Sequence, residues 1–334
     1  MKTTCKVLTA LVLTAALLLG GAVPALGAAP GYSAALEAAA SYLHKTVPDP
    51  QVSSTGGEWA VVALARGGRL DRSQKTNYLQ NLEHTLAEKQ GVLSARKHTE
   101  YARAALALAA LGEDPRDVAG YDLLAPLEDF DATVRQGLNG AIFALIALDC
   151  GGDPVDPALR ARYLNHILDA QLADGGWALY GAQADPDVTA QALQALAPYR
   201  EDHRAAVETG LDRMTALWAQ GAFTTCESYA QAIIALCALG EEVPGGLLNE
   251  FLAFQRSDGG FAHLPDGKTD QMASEQALCA LTALERADRG QSPLYDMRDA
   301  APDRGTNIRS QAVTAALWTA IWASTSVLRL GPAR

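Results

Sequence analysis

Two aspartates stand one residue apart in the stretch DPDVTA, residues 185–190. Neighbouring carboxylates raise one another's pKa, so Asp187 can stay protonated and act as a general acid with Asp185 as its partner. The same residues suit the start of a helix, with Asp185 as N-cap, Pro186 at the first helical position and Asp187 at the positive helix end. The stretch therefore predicts either an acid catalyst or a helix cap, and the sequence leaves both open.

Other catalytic patterns are missing from the sequence. It contains no Gly-x-Ser-x-Gly, no His-Glu-x-x-His and no glycine-rich phosphate loop. These absences exclude the nucleophile, zinc-protease and nucleotide sites that such short motifs mark. We predict no cofactor.

Six Ala- and Leu-rich segments recur at intervals of roughly 40 to 50 residues, a spacing that suits helical hairpins. Each segment is apolar nearly all round, which indicates a helix buried on both sides. Amphipathic segments lie between them, as in residues 157–172, where Leu159, Tyr163 and Ile167 share one helical stripe. The six segments are GEWAVVAL ending at Leu64, YARAALAL at Leu108, LNGAIFAL at Leu145, TAQALQAL at Leu196, YAQAIIAL at Leu236 and SEQALCAL at Leu281.

This alternation predicts an all-α fold of six helical hairpins. The favoured arrangement is an α/α toroid, in which the buried helices form an inner ring and the amphipathic helices an outer ring. An open superhelix is the alternative, and the fully apolar inner segments favour closure. We place the repeat domain at residues 28–300, between a signal peptide at 1–27 and a tail at 301–334.

Glycine pairs followed by an aromatic residue link outer to inner helices. They occur in QLADGGW (171–177) and QRSDGGF (255–261), with a shorter QGAF at 220–223. A glycine pair permits a tight turn with positive φ, the aromatic ring packs back on the hairpin, and the glutamine can bond freed backbone groups. We expect a structural role for the turn residues Gly175, Gly176, Trp177, Gly259, Gly260 and Phe261.

These turns and the Ala-rich helices together resemble the α/α-toroid superfamily over roughly residues 33–290. That superfamily includes squalene and oxidosqualene cyclases, protein prenyltransferase β-subunits, and vitamin B12 carriers of the intrinsic factor and transcobalamin type. The stretches HTEYARAALALAALGEDPRDVAGYDLL, RQGLNGAIFALIALD, CESYAQAIIALCALGEEV and SEQALCALTAL are most similar to secreted bacterial prenyltransferase/squalene-oxidase repeat proteins. The fold hosts unrelated activities, so the resemblance implies a fold rather than one function.

The cyclases of that superfamily carry Asp-x-Asp-Asp-Thr-Ala, whose middle Asp protonates an alkene or epoxide. Asp187 corresponds to that acid, whereas Val188 stands where the third Asp belongs and removes a carboxylate. Cyclisation also needs aromatic faces to stabilise cations, and the inner segments offer few. Prenyl transfer would need an Asp, a Cys and a His on zinc, and no Asp-x-Cys pair with a suitable later His occurs. We therefore predict no metal site.

Parallel inner helices in a ring would bring the polar residues near their starts together around one opening. An apolar concavity with a few convergent polar groups is the usual form of a ligand site. These residues equally suit the capping of helix N-termini, and the two roles are compatible. The predicted ligand-binding residues are Trp59, Glu100, Tyr101, Asp187, Glu227, Tyr229 and Glu275, with Glu58 and Asn139 within a turn of them.

The favoured function is a non-catalytic module that binds a small hydrophobic ligand, of isoprenoid or corrinoid type, or that serves as a cell-surface interaction module. The alternative is a terpenoid cyclase or mutase that protonates a polyene with Asp187.

The two ends of the chain bear on its location. Lys2 and Lys6 precede an apolar run that ends in small residues before Ala28, which is typical of a secretory signal peptide. Residues 310–328 carry no charge and are long enough to span a membrane or to dock as a buried helix. We expect an exported protein, extracellular or at the cell surface, with membrane association through 310–328 left open.

Charge and cysteine content narrow the partners. The 38 acidic residues outnumber the 27 basic ones and give a formal charge of −11 without a basic patch, so we predict no nucleic-acid partner. The oligomeric state stays open. So does one disulfide among the four cysteines after the signal peptide, which lie in apolar segments where a free thiol packs as a small hydrophobe: Cys150, Cys226, Cys237 and Cys279.

Overall fold

The computed structural model describes residues 31–151 and 154–300. The predicted signal peptide, residues 1–27, and the apolar segment 310–328 lie outside this part. The chain divides into two compact units between Ala34 and Ala35, and the packing discussed below belongs to the second.

The regular secondary structure of the described residues is helical apart from one short hairpin and two isolated bridges, which confirms the all-α prediction. A single 3-10 turn (Ala197–Tyr199) follows the ninth helix, and the strands β1 (Phe261–Ala262) and β2 (Thr269–Asp270) pair antiparallel. In chain order the helices are α1 (Ser33–Thr46), α2 (Glu58–Arg66), α3 (Arg72–Glu88), α4 (His98–Ala110), α5 (Ala125–Glu128), α6 (Phe130–Val134), α7 (Leu138–Cys150), α8 (Pro157–Asp169), α9 (Pro186–Leu196), α10 (Arg204–Ala219), α11 (Cys226–Leu239), α12 (Gly245–Leu252) and α13 (Gln271–Asp288).

Six helices are buried along most of their length, and they are the six Ala-Leu segments: α2, α4, α7, α9, α11 and α13. Small side chains on every face allow close packing on both sides, as in α7, where Ala141, Ile142, Ala144 and Leu145 are all inaccessible to solvent. Each of these helices contacts the next in chain order, and α13 contacts α2. The contacts among the buried helices therefore form a closed circuit.

Hydrogen bonds join like ends of neighbouring buried helices in two places. The N–H of Thr99, at the start of α4, donates to Gln136 Oε1, just before α7, at 3.1 Å. At the opposite end Arg286 Nη1, near the end of α13, donates to the carbonyl oxygen of Arg66, the last residue of α2, at 2.9 Å. In each of these two pairs the neighbouring buried helices therefore run parallel.

Amphipathic helices precede the buried ones, as the alternation predicts, with one departure. Residues 125–134 form two short helices, α5 and α6, where one was expected. Asp129 follows α5, and its side chain caps α6 by accepting the N–H of Ala132 at 2.9 Å, so the chain restarts at this point. In α8 the predicted stripe is buried, and Tyr163 OH donates to Leu127 O at 2.6 Å.

Within the described residues the structure bears on one question that the sequence left open, the disulfide state of the cysteines; the possible span at 310–328 lies outside them. No helix among them is long and apolar enough to cross a membrane. The four cysteines among them are buried and no disulfide joins any two of them, and burial raises the pKa of Cys237 to about 12. These thiols therefore pack as small apolar side chains.

Candidate functional site

The stretch DPDVTA begins α9. The Asp185 carboxylate accepts the N–H of Val188 at 2.9 Å, and Pro186 occupies the first helical position. The backbone N–H of Asp185 donates to Trp177 O at 2.8 Å. The side chain of Asp185 thus caps α9, and its backbone N–H closes the preceding turn.

Thr189 joins α9 to the preceding glycine turn. Its Oγ1 accepts the N–H of Trp177 at 3.0 Å and donates to Trp177 O at 3.1 Å. The Trp177 ring is fully buried, and its indole N–H donates to Ile167 O at 2.7 Å. The first aspartate and the threonine of the stretch therefore both have partners in the fold itself.

The second glycine turn repeats this arrangement. Asp270 caps α13 by accepting the N–H of Ala273 at 2.9 Å. Ser274 Oγ, four residues after the cap, accepts the N–H of Phe261 at 2.8 Å, as Thr189 does for Trp177. An acid followed four residues later by a hydroxyl is therefore part of the turn in both hairpins.

The glycines and glutamines of these turns have specific geometries. Gly175 and Gly259 adopt φ values of +94° and +93°, a region that residues with a Cβ rarely enter. Gln171 Nε2 donates to Gly175 O at 2.7 Å and to Ala206 O at 2.9 Å, and Gln255 makes the corresponding pair of bonds. The side-chain amide thereby holds the turn closed and ties it to a neighbouring helix.

Asp187 lies near the start of α11. It bonds Ser228, and no described residue is a partner for its Oδ1. Burial raises its pKa, with the nearby charges of Asp185 and Glu227 acting in the same direction. Glu227 pairs with His263 Nδ1 at 2.9 Å. Asp187 and Glu227, both predicted site residues, therefore belong to one cluster.

The other two predicted acids lie elsewhere, where α2 meets α13. Glu275 is fully buried, accepts the N–H of Gly56 at 2.6 Å, and has a neighbour, Glu58, that is buried as completely. Burial raises the pKa of both carboxyls, to about 7 for Glu275. Glu100 pairs with Arg103, whose charge acts on both buried acids. The four predicted acids are thus divided between two clusters.

The predicted aromatic residues do not share one surface. The Trp59 ring lies 5.7 Å from that of Phe143 and 6.3 Å from that of Tyr295, measured between centroids. Tyr101 and Tyr229 are buried in separate parts of the fold, on α4 and α11. Trp59 thereby lies beside Tyr295, a residue of the cavity described next.

A cavity of about 400 Å³ lies at the opposite end of the buried helices. It is partly open and is bordered by the last turns of α7, α9 and α11, by the 3-10 turn after α9, by Arg160 of α8 and by residues 293–298, which follow α13. We call it the C-terminal cavity. None of the residues predicted to bind a ligand lines it. Its apolar lining includes Ile146, Ala195, Ile234, Ala238, Leu294 and Tyr295.

Charged groups at the wall of this cavity are paired with one another. Asp149 accepts from Arg160 Nε at 2.8 Å and from the hydroxyl of Tyr199. Burial and the Asp149 carboxylate together raise the pKa of Tyr199, which stays protonated. Asp296 accepts from Arg298 Nε at 2.7 Å on the other side. The cavity therefore presents an apolar interior with balanced charges at its border.

Buried glutamines connect this cavity to the next helices. Gln194 lines the cavity, and its Nε2 donates to the backbone carbonyl of Gln231 at 3.0 Å and to Gln231 Oε1 at 2.9 Å. Gln231 Nε2 in turn donates to Gln276 Oε1 at 2.7 Å. The signal in the sequence was a glutamine inside three Ala-Leu segments, where an apolar residue would be ordinary.

Neither a family model nor a curated protein matches the chain.

The family resemblance therefore remains a hypothesis. A proposal for the function has to be argued from the geometry of the candidate sites. Within the described residues, no group of three or more His, Cys, Asp or Glu side chains is arranged to hold a metal ion.

The wall formed by residues 291–300 was not foreseen from the sequence. Arg66, buried in the last turn of α2, donates to Leu294 O at 3.0 Å and to Asp299 Oδ1 at 2.6 Å. Arg286 pairs with the same Asp299, and Met297 N–H donates to Cys150 O at 2.8 Å. Two arginines thus hold this segment across the helix ends and complete the cavity.

Proposed function

We propose that residues 35–300 form an α/α toroid of the superfamily that the sequence resembles. The closed circuit of contacts from α2 through α13 and back to α2 supports closure over an open superhelix. The parallel course of the two pairs of neighbouring buried helices and the glycine turns with their Asp and Thr/Ser partners also support it.

We propose that the protein binds a small, mainly apolar molecule in the C-terminal cavity. The observation that carries this proposal is the cavity itself, about 400 Å³ in volume, with apolar side chains inside and paired charges at its border. Ligand pockets are typically ~300–1,000 Å³ and combine apolar walls with a few fixed polar groups. Binding needs no movement of the helices, because the walls are preformed.

The volume bears on which of the expected ligands fits. It lies near the lower limit of ligand pockets, so a short isoprenoid is a better match than a corrinoid, whose macrocycle and side chains are much larger. The described lining residues supply hydrogen-bonding groups in Gln194 and Tyr199. An isoprenoid alcohol such as farnesol combines the required size, apolar body and single polar end.

Thermal unfolding with and without farnesol tests the proposal. Binding should raise the melting temperature, since a ligand at a hundredfold excess over Kd stabilises by about 2.7 kcal/mol. Ala238→Phe fills the cavity and should abolish the shift, whereas Ala216→Phe, on a half-buried face of α10, should not. Cobinamide serves as the corrinoid probe and a cell-wall muropeptide as a polar one.

The outcomes separate the candidate functions. A shift with farnesol that Ala238→Phe removes supports the cavity site. A shift that survives Ala238→Phe places the ligand elsewhere and overturns the assignment to this cavity. No shift with any probe would favour the interaction module.

The second candidate function is that of a cyclase or mutase, with Asp187 as the general acid. Its half-buried carboxyl has a raised pKa and an Oδ1 with no partner in the described part of the chain, as a proton donor to an alkene requires. Incubation with squalene and product analysis tests this. Product that forms with the wild type and disappears with Asp187→Asn supports it; absence of product overturns it.

We also propose export, with cleavage after residue 27, from the basic and apolar pattern of the first residues. Expression of the full chain in a bacterial host with N-terminal sequencing of the protein in each fraction tests this. A chain that stays in the cytoplasm with Met1 intact would overturn it.

A further inference from the structure

Five buried oxygen atoms, on the loop before α2 and on the helices α2, α3 and α13, have no hydrogen-bond partner among the described residues. Ser53 is held against Glu58, because its N–H donates to Glu58 Oε1 at 2.7 Å. The charge of Glu58 also acts on the phenol of Tyr78, which is fully buried, and on Glu275. The atoms are Ser53 Oγ, Ser54 Oγ, Glu58 Oε2, Tyr78 OH and Glu275 Oε2. We call the site that contains these five oxygens the acid chamber.

The geometry of the two carboxylates leaves one oxygen of each free. Glu58 Oε1 is occupied by the N–H of Ser53, and Glu275 Oε1 by the N–H of Gly56 at 2.6 Å and by Gln271 Nε2 at 3.0 Å. The loop before α2 therefore fixes both side chains through their Oε1 atoms. Each Oε2 is buried without a partner inside the described structure.

Such a concentration of unpaired buried oxygens needs a physical reason. An unpaired buried polar group is costly, and folded proteins satisfy nearly all of them with protein, water or bound ions. Here the unpaired atoms are oxygens, two from carboxylates and three from hydroxyls. Hard cations such as Ca²⁺ bind oxygen ligands, among which carboxylates are the usual charged ones.

The charge balance points in the same direction. Glu58, Glu275 and Glu100 supply three carboxylates, and Arg103 supplies one guanidinium, which is already paired with Glu100. When both buried acids are ionised, the site carries an excess of negative charge with no described partner for it. A divalent cation would neutralise that excess and satisfy the free oxygens.

We propose that the acid chamber between α2 and α13 binds a hard divalent cation of the Ca²⁺ class through Glu58 and Glu275, with the hydroxyls of Ser53, Ser54 and Tyr78 beside them. This site is separate from the C-terminal cavity and does not depend on the function proposed for that cavity.

Terbium luminescence tests the proposal on the chelator-treated full chain. Trp59 follows Glu58 in the sequence, so it can sensitise a Tb³⁺ ion held by that carboxylate, and added Ca²⁺ should quench the signal by competition. Calorimetry with CaCl₂ gives the affinity directly. We expect at least tenfold weaker binding for Glu275→Gln and for Glu58→Gln. Asp187→Asn, in the other acid cluster, is the matched control and should bind as the wild type does.

Each outcome shows whether a cation binds at the acid chamber. No terbium signal and no heat with CaCl₂ at pH 8 would overturn the site and leave buried water as the partner of these oxygens. If Asp187→Asn abolishes binding, the ion binds at the cluster of Asp187 and Glu227 instead, and the proposal is wrong. If the glutamine variants fail to fold, Tyr78→Phe, which removes one of the five oxygens, is the remaining test and should weaken Ca²⁺ binding. Unchanged Ca²⁺ binding by Tyr78→Phe would then contradict the chamber.

Discussion

Thr189 and Trp177 are held together by two hydrogen bonds through one hydroxyl: Thr189 Oγ1 accepts the Trp177 N–H at 3.0 Å and donates to the Trp177 carbonyl at 3.1 Å. Both residues are inaccessible to solvent. The threonine of DPDVTA therefore has a structural role, because it joins the start of α9 to the glycine turn. In the same stretch, Asp187 has a buried carboxyl oxygen, Oδ1, with no hydrogen-bond partner in the described structure.

Replacing Thr189 by valine keeps the side-chain shape and removes the hydroxyl. The Trp177 N–H then loses its partner in a buried place, so we expect the free energy of unfolding to fall by about 1–3 kcal/mol. Urea unfolding followed by circular dichroism measures the change. Thr215→Val is the control, because Thr215 is exposed and bonds only within its own helix. Equal unfolding midpoints for the two variants would contradict the structural role.

The two aspartates of the stretch should respond in opposite ways. Asp185→Ala removes the cap bond to Val188 and should lower stability by about 0.5–2 kcal/mol. Asp187→Asn removes a carboxyl whose pKa burial has raised, so stability near pH 7 should stay the same or increase. Thermal unfolding of both variants at pH 7 checks this. A large loss with Asp187→Asn would show that its ionised carboxylate stabilises the fold.

The helices could be predicted because their signal is periodic and repeated. The Ala-Leu segments ending at Leu64 and Leu281 mark buried helices, since only a helix surrounded by others tolerates apolar residues on every face. The two short helices around Asp129 could not be foreseen, because nothing in the local pattern separates one amphipathic helix from two. Cap and turn roles followed from residue type alone, as at Asp185 and Gly175.

The candidate cavity could not be predicted, because its parts are distant in the chain. Asp149, Gln194 and Tyr295 are brought together by packing at the ends of three helices and by a segment that has no repeat signature. Aligning the repeats drew attention to the helix starts, where acids are common for capping reasons alone. Only the contacts showed that Glu275 and Asp187 belong to different clusters.

Glu275 should make stability depend on pH. Its carboxyl has a pKa of about 7 in the folded protein against 4.5 for the ordinary group. Between these values the folded state holds a proton that the unfolded chain has lost, so the free energy of unfolding falls as pH rises from about 4.5 to 7. The difference amounts to about 3 kcal/mol.

Glu275→Gln removes this titration and should flatten the stability profile over that range. The measurement is urea unfolding at several pH values in the presence of EDTA, which keeps divalent cations out. Glu242→Gln, an exposed acid on the loop after α11, is the matched control and should leave the slope unchanged. Parallel slopes for the wild type and Glu275→Gln would contradict a protonated buried carboxyl.

We expect the hydrogen bonds of Arg66 to hold residues 291–300, which form one wall of the C-terminal cavity, in place. Its guanidinium bonds Leu294 O, Pro293 O, Asp296 O and the Asp299 carboxylate, which a lysine ammonium cannot reproduce. We expect Arg66→Lys to cost about 3 kcal/mol or more and to raise amide hydrogen exchange within residues 291–300. Arg289→Lys, on an exposed side chain, is the control. Unchanged exchange in 291–300 would show that other contacts hold the segment.

Closure of the helix circuit can be checked by zero-length crosslinking. Arg69 Nη1 and Glu285 Oε2 lie 2.7 Å apart although 216 residues separate them in the chain. In the Arg69→Lys variant, carbodiimide should therefore couple the new lysine to Glu285, and mass spectrometry of the digest should find the linked peptides.

The native pair Lys75–Glu113, 3.0 Å apart, provides an internal positive control, because it joins neighbouring repeats in an open superhelix as well as in a closed ring. Coupling at low protein concentration excludes links between molecules. Both crosslinks are expected from a closed circuit. A Lys75–Glu113 link without the link to Glu285 would mean that the first and last hairpins are apart in solution, and the toroid proposal would fail.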